Sequence, residues 1–228
     1  VTAHPRAHEL LQGLQVLPYL PSDRPSGFGH EGGNNGKGGD YVESYTLTGG
    51  PLADFFHGVV FTDGSCYKPG PITWNRASWA VVKLSEDGVV FAWARGPVGK
   101  LLPSSSPASE NVAVLAAATL TQRVEEARSD YKAVEGVELK ELTQPLNRKS
   151  TYAGVRRLIR GRAPTGFGVS HVPGHVDPAS CSTPEERFNA LGNTAADLIA
   201  KGALDGYISH LHGKFQSGTG KLHSSELF

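Results

Sequence analysis

From Gly58 onward the chain runs in short apolar stretches separated by turn residues. Three of them follow one another closely, at 58–63, at 77–83 ("ASWAVVK") and at 89–95 ("VVFAWAR"). Short apolar runs bounded by Gly, Pro, Asp and Ser predict strands. "SEDG" at 85–88 predicts a tight hairpin turn, so the three strands form an antiparallel meander. The period then changes. "PASENVAVLAAATLTQRVEE", 107–126, is rich in Ala and Leu and predicts a helix, with Glu110 in a first turn where the helix dipole favours a carboxylate. A short polar strand ends at Asp130, and "YKAVEGV" predicts a helical turn or two. A basic helix is predicted at 150–160, a strand at 166–172 and a closing helix at 191–204. Strands reached through helices run parallel to the first. The predicted fold class is therefore α/β: a mixed sheet of three antiparallel strands followed by parallel strands, flanked by helices.

The flanks read differently. Residues 25–40, "PSGFGHEGGNNGKGGD", bury too little apolar surface to offset their ordering entropy. The expected organisation is a Gly-rich N-terminal extension (1–57), a folded domain (58–207) and a C-terminal tail (208–228). Other subunits of a larger assembly are the expected contacts of the extension. At 228 residues the chain is long enough for a core without disulfide or metal staples. No apolar run approaches the roughly 20 residues of a bilayer span, so no membrane partner is expected. No basic stretch precedes an apolar segment at the N-terminus, as a secretory signal would require. Two cysteines, Cys66 and Cys181, make no disulfide framework and fit an intracellular reducing compartment. The absence of Met, initiator included, fits a processed or internal fragment.

Asp63 changes the picture from fold to chemistry. A carboxylate delivered at the end of a buried strand is costly unless something uses it. If the first and fourth strands are neighbours, Asp63 and Asp130 emerge side by side. A helix crossing that sheet end adds Glu110, and the last helix adds Asp197. Close like charges raise each other's pKa values, and divalent cations relieve the repulsion. Oxygen donors suit Mg²⁺ or Mn²⁺, and two ions about 4 Å apart stabilise both the attacking and the leaving oxygen of a phosphodiester displacement.

"TDGS" at 62–65, "PASENVAVLAA" at 107–117, "SDYKAV" at 129–134, "VPGH" at 172–175 and "GNTAAD" at 192–197 follow one another in this order. In this the chain resembles the ribonuclease H family, above all the domains of retroelement reverse transcriptases and their cellular relatives. The likeness covers roughly residues 58–206. It implies a Mg²⁺-dependent endoribonuclease, a hydrolase that cuts the RNA strand of RNA/DNA hybrids with two metal ions, for which Mn²⁺ can substitute. By resemblance the metal ligands are Asp63, Glu110, Asp130 and Asp197, and His175 is the loop histidine that assists proton transfer or product release.

A second signal is electrostatic. Arg148, Lys149, Arg156, Arg157, Arg160 and Arg162 fall between Glu141 and Asp177, a stretch with no acidic residue, although the whole chain balances 22 Lys and Arg against 22 Asp and Glu. Such a run predicts phosphate contacts that position RNA or an RNA/DNA hybrid without reading its sequence, the alternative being a solvated helix face. Gly64, Ser65 and Asn193 are the expected neighbours of an RNA 2′-OH. His171 and His175 have a zinc-like spacing, but Pro173 and Gly174 lie between them and no Cys-x₂-Cys accompanies them. Cys66 has no evident partner base and is read as a packed thiol.

Two alternatives stand beside the nuclease. One is a catalytically silent ribonuclease H-like module, a structural or RNA-contacting subunit of a large complex. It is suggested by Ala108-Ser109-Glu110-Asn111, where the family has Arg-Ala-Glu-Leu, and by the polar strand "EEARSD". The other is a different nuclease or strand-transfer enzyme on the same superfold.

Overall fold

A computed structural model describes residues 43–46, 56–68, 75–99, 102–120, 123–136 and 152–216, with only the backbone course described for 43–46 and 204–216. The expectations for Arg148, Lys149, the Gly-rich stretch 25–40 and residues 217–228 lie outside these residues. Strands β1 (Glu43–Thr46), β2 (Gly58–Tyr67), β3 (Arg76–Leu84) and β4 (Val90–Pro97) precede helix α1 (Ser106–Leu120). Strand β5 (Val124–Ser129), a 3-10 turn (Lys132–Val134), α2 (Ala153–Arg162), β6 (Gly168–His171), a second 3-10 turn (Pro178–Ser180) and α3 (Pro184–Gln216) follow. They form one six-stranded sheet in the order β1-β4-β3-β2-β5-β6.

The β2-β3-β4 meander is antiparallel, and β5 and β6 join β2 in parallel, as alternation and the helical crossovers predict. The 85–88 turn closes with the Gly88 N–H on the Ser85 carbonyl at 2.9 Å, and Gly88 takes φ 78°, which favours glycine. β1 was not expected. It pairs antiparallel with β4, so the sheet reaches into the stretch read as an extension and covers an otherwise open edge.

The two faces of the sheet are covered differently. α1 packs on β2, β3 and β5 and against α2, while α3 packs on β2, β3 and β4. Alternation sorts the strand residues accordingly. Val60, Val81, Ala92 and Ala94 join the core with α1 and α2, whereas Phe61, Val82 and Leu84 join Ala196 of α3. α1 is buried nearly all round, only Ser106, Pro107 and Thr119 remaining partly open. Its N-cap is Ser105, whose Oγ accepts the Ala108 N–H at 3.3 Å.

Helix boundaries differ from expectation for identifiable reasons. α1 stops at Leu120 rather than 126, because Val124 and Ala127 are taken into the core as β5. α3 begins seven residues before 191, at a capping box: the Thr183 Oγ1 accepts the Glu186 N–H at 3.1 Å, and Glu186 Oε2 accepts the Thr183 N–H at 3.0 Å. Pro184 occupies the first helical position, where its missing N–H costs nothing. The helix continues past 204 to Gln216.

β5 is polar for a structural reason. α3 covers mainly β2, β3 and β4, so β5 buries no large apolar side chain on that face. Glu126 Oε2 there accepts from Arg128 Nη2 at 3.0 Å, Glu126 Oε1 accepts from Ser170 Oγ, and Arg128 Nη1 donates to Asn189 of α3. Among the described residues no helix is long and apolar enough to cross a membrane.

Candidate active site

Parallel pairing of β2 and β5 aligns Thr62 with Ser129, so Asp63 and Asp130 come next in line at the same sheet end. Glu110, in the second turn of α1 rather than the first, reaches the same place. Asp63, Glu110 and Asp130 each present an oxygen within 4.8 Å of the others. Asp63 and Glu110 are only 5% and 4% exposed. The cluster floors an open cleft of about 490 Å³, lined also by Gly64, Ser65, Cys66, Tyr131, His175, Asp197 and Lys201.

α1 can come this close because residue 64 is glycine. A Cβ there would lie 2.4 Å from Ser109 Oγ and 2.5 Å from the Glu110 backbone nitrogen. The Gly64 backbone amide favours the ionised forms of both the Asp63 and the Glu110 carboxyls, lowering their pKa values against the larger effect of burial. The "DGS" motif thus supplies a carboxylate and the space for a second one. Gly192 has the same role on the other face, where a Cβ would strike the Phe61 ring.

Asp130 is held by residues that sequence reasoning read otherwise or passed over. Asn193, expected at a 2′-OH, is 2% exposed and donates its Nδ2 to Asp130 Oδ2 at 3.4 Å. Gly174 lies against the same carboxylate, where a Cβ would approach Oδ2 to 2.5 Å. Ser129 Oγ donates to Glu110 Oε2 at 3.4 Å and accepts the Tyr131 N–H at 3.1 Å. His175, which follows Gly174 in the loop after β6, adopts φ 55°, an uncommon left-handed conformation for a residue with a side chain. His175 is exposed and lines the cleft, whereas His171 lies at the end of β6 and outside it.

The remaining expected residues divide. Asp197 lines the cleft but is not among the three converging carboxylates; its Oδ2 accepts from Lys201 Nζ at 2.7 Å. Lys201 was readable as its partner, one helical turn on. Of the basic run, Arg156 is occupied within the protein, donating to Asn111 Oδ1 at 3.0 Å and to the Ala133 carbonyl at 3.2 Å. It ties α2 to α1. Arg160 is partly buried and Arg157 is exposed. The Cys66 thiol donates weakly to the Ser104 carbonyl, and burial raises its pKa, which suits a packed thiol.

Burial, followed by the charges of Asp130 and Asp197, pushes Asp63 up to about 7. Burial, then Asp63 and Asp130, pushes Glu110 up to about 10, so Glu110 keeps its proton at neutral pH. A buried, oxygen-only donor set with mutually repelling charges fits a hard divalent cation of the Mg²⁺ or Mn²⁺ type. Both shifts have one consequence for stability. A native state holding protons that the unfolded chain has released loses stability as pH rises. In EDTA, stability is expected to fall from about pH 4, through about 7 for Asp63 and towards about 10 for Glu110. The slope is at most about 1.4 kcal/mol per pH unit for each proton. Urea midpoints measured across this range should flatten when Mg²⁺ is added, and a flat profile in EDTA would contradict the shifts.

No family model and no curated protein matches the chain. Among solved structures, RNase H1 from the halophilic archaeon Halobacterium salinarum NRC-1 is 22% identical, over 64% of this chain and 96% of that one, with a TM-score of 0.39. LC11-RNase H1 in complex with an RNA/DNA hybrid is 18% identical, over 66% and 98%, with a TM-score of 0.40. The foamy viral protease-reverse transcriptase in complex with dsDNA is 16% identical, over 67% and 96%, with a TM-score of 0.41. The fold rests on strand order and direction. An antiparallel meander extended by two parallel strands, with helices on both faces, is a ribonuclease H-like fold.

Proposed function

We propose that this domain hydrolyses the RNA strand of RNA/DNA hybrids, with divalent cations held by Asp63, Glu110 and Asp130 and, at the rim, by Asp197. The observation that carries this reading is the convergence of the first three carboxylates within 4.8 Å on the floor of an open cleft. When bound, such cations supply charge stabilisation and water activation for phosphodiester hydrolysis.

The chain's own groups do the rest. Asp63 and Glu110 stand on β2 and α1, two buried elements brought together where Gly64 leaves space for α1. Asn193, Gly174 and Ser129 fix the remaining orientation. His175, exposed above the floor, is free to pass a proton to or from the cleft. Arg157, Arg160, Arg162 and, outside the described residues, Arg148 and Lys149 are the remaining candidates for phosphate contacts; Arg156 is occupied elsewhere. With both departures that suggested a silent module present, Asp63, Glu110 and Asp130 still converge within 4.8 Å. Asn111 takes up the Arg156 clamp, and the polar residues of β5 pair with one another and with β6 and α3.

A hybrid labelled on both strands tests the proposal. The RNA strand should be cut in Mg²⁺ and not in EDTA, with the DNA strand intact. Cleavage of the DNA strand would point to another nuclease of this superfold, and no cleavage to a silent module.

His175→Ala is expected to slow cleavage by about 10²-fold, the low end of what acid–base assistance contributes. The deficit should vary with pH, easing where hydroxide or a solvent acid replaces the imidazole. A pH–rate profile checks this. A loss as deep as that of a metal-ligand variant, and independent of pH, would make His175 a ligand or a structural residue.

A further inference from the structure

Resting on the reading of the cleft as a divalent-cation centre, we propose that Lys201 is a resident counter-ion that competes with a cation for Asp197. It thereby sets how tightly the outer part of the carboxylate cluster binds divalent cations. Three carboxylates converge, and the fourth does not. Asp197 lines the same cleft, but its Oδ2 is engaged by Lys201 Nζ at 2.7 Å. The acid lies four residues before the base on α3, the favourable orientation for such a pair.

Exposure makes the pair displaceable. The Asp197 side chain is 19% exposed and that of Lys201 54%, so the ammonium sits at the cleft mouth with solvent on one side. A flexible lysine stem with no acceptor atoms can leave without stranding another partner. An arriving cation must displace the ammonium to use that oxygen. The competition is weak by the same geometry, because an exposed ion pair contributes little.

The test is Mn²⁺ binding to the full chain, followed by electron paramagnetic resonance of free Mn²⁺ and by calorimetry. Lys201→Met should tighten the weaker Mn²⁺ step by about two- to fivefold, the equivalent of an exposed ion pair. Lys201→Arg should behave like the parent. In an Asp197→Asn background, Lys201→Met should have no effect. Binding by the Lys201→Met chain alone would also support the proposal. Equal or weaker binding by that variant, or equal tightening in the Asp197→Asn background, would overturn the role of Lys201 alone. No binding by either chain would overturn both the proposal and the cation-centre reading.

Discussion

Asp63→Asn is expected to abolish hydrolysis of a hybrid while leaving the fold intact. The substitution keeps the volume of the side chain and removes one charge from the cluster floor. Cation assistance contributes several kcal/mol to such a reaction and each 1.36 kcal/mol is tenfold, so the expected loss is about 10³-fold or more. The same substitution should raise stability in EDTA at pH 8. Burial and the charges of Asp130 and Asp197 hold the Asp63 pKa at about 7, so its ionised form is a cost to the native state above that pH. Opposite signs for activity and cation-free stability distinguish loss of a ligand from simple unfolding. A folded variant cleaving at near the parental rate would remove Asp63 from the site.

Gly64→Ala should be nearly as damaging by a different route. The position needs space rather than unusual torsion angles: an added Cβ meets backbone and side-chain atoms of Ser109 and Glu110 at 2.4 to 2.6 Å. These are the second turn of a buried helix, so α1 must shift as a body away from β2. Overpacking of this kind costs about 1–3 kcal/mol of stability. Displacement of a catalytic group by an ångström can cost about 10²-fold in rate. The expected variant is folded, with a lower melting temperature, weaker Mn²⁺ binding and about 10²-fold slower cleavage. Parental binding and cleavage would mean that the close approach of α1 to β2 does not set the position of Glu110.

The outline of this site was readable because the chemistry sits where local patterns end. A buried apolar run ends in Asp63, and parallel pairing of β2 with β5 was enough to bring Asp130 beside it. What was missed depends on tertiary contacts. Asn193 was expected at a 2′-OH, yet Gly192 lets α3 sit against Phe61, and the asparagine is buried beside Asp130. Arg156 belonged to a basic run by sequence, and only the packing of α2 on α1 shows its guanidinium occupied by Asn111 and Ala133. β5 read as weak because its polar residues find partners on β6 and α3, far away in sequence. The start of α3 was different: Thr183-Pro184-Glu185-Glu186 is a local capping signal that could have been read directly.

The carboxylate cluster as a divalent-cation centre is tested most directly by proton release on cation binding. Glu110 holds its proton to about pH 10 and Asp63 titrates near 7, so an incoming cation must expel what they hold. Mg²⁺ titrated by calorimetry into the chain at pH 7, in buffers of different ionisation enthalpy, should release about one proton or more per chain. The release should shrink in Glu110→Gln. Binding without proton release, or no binding at all, would contradict the account.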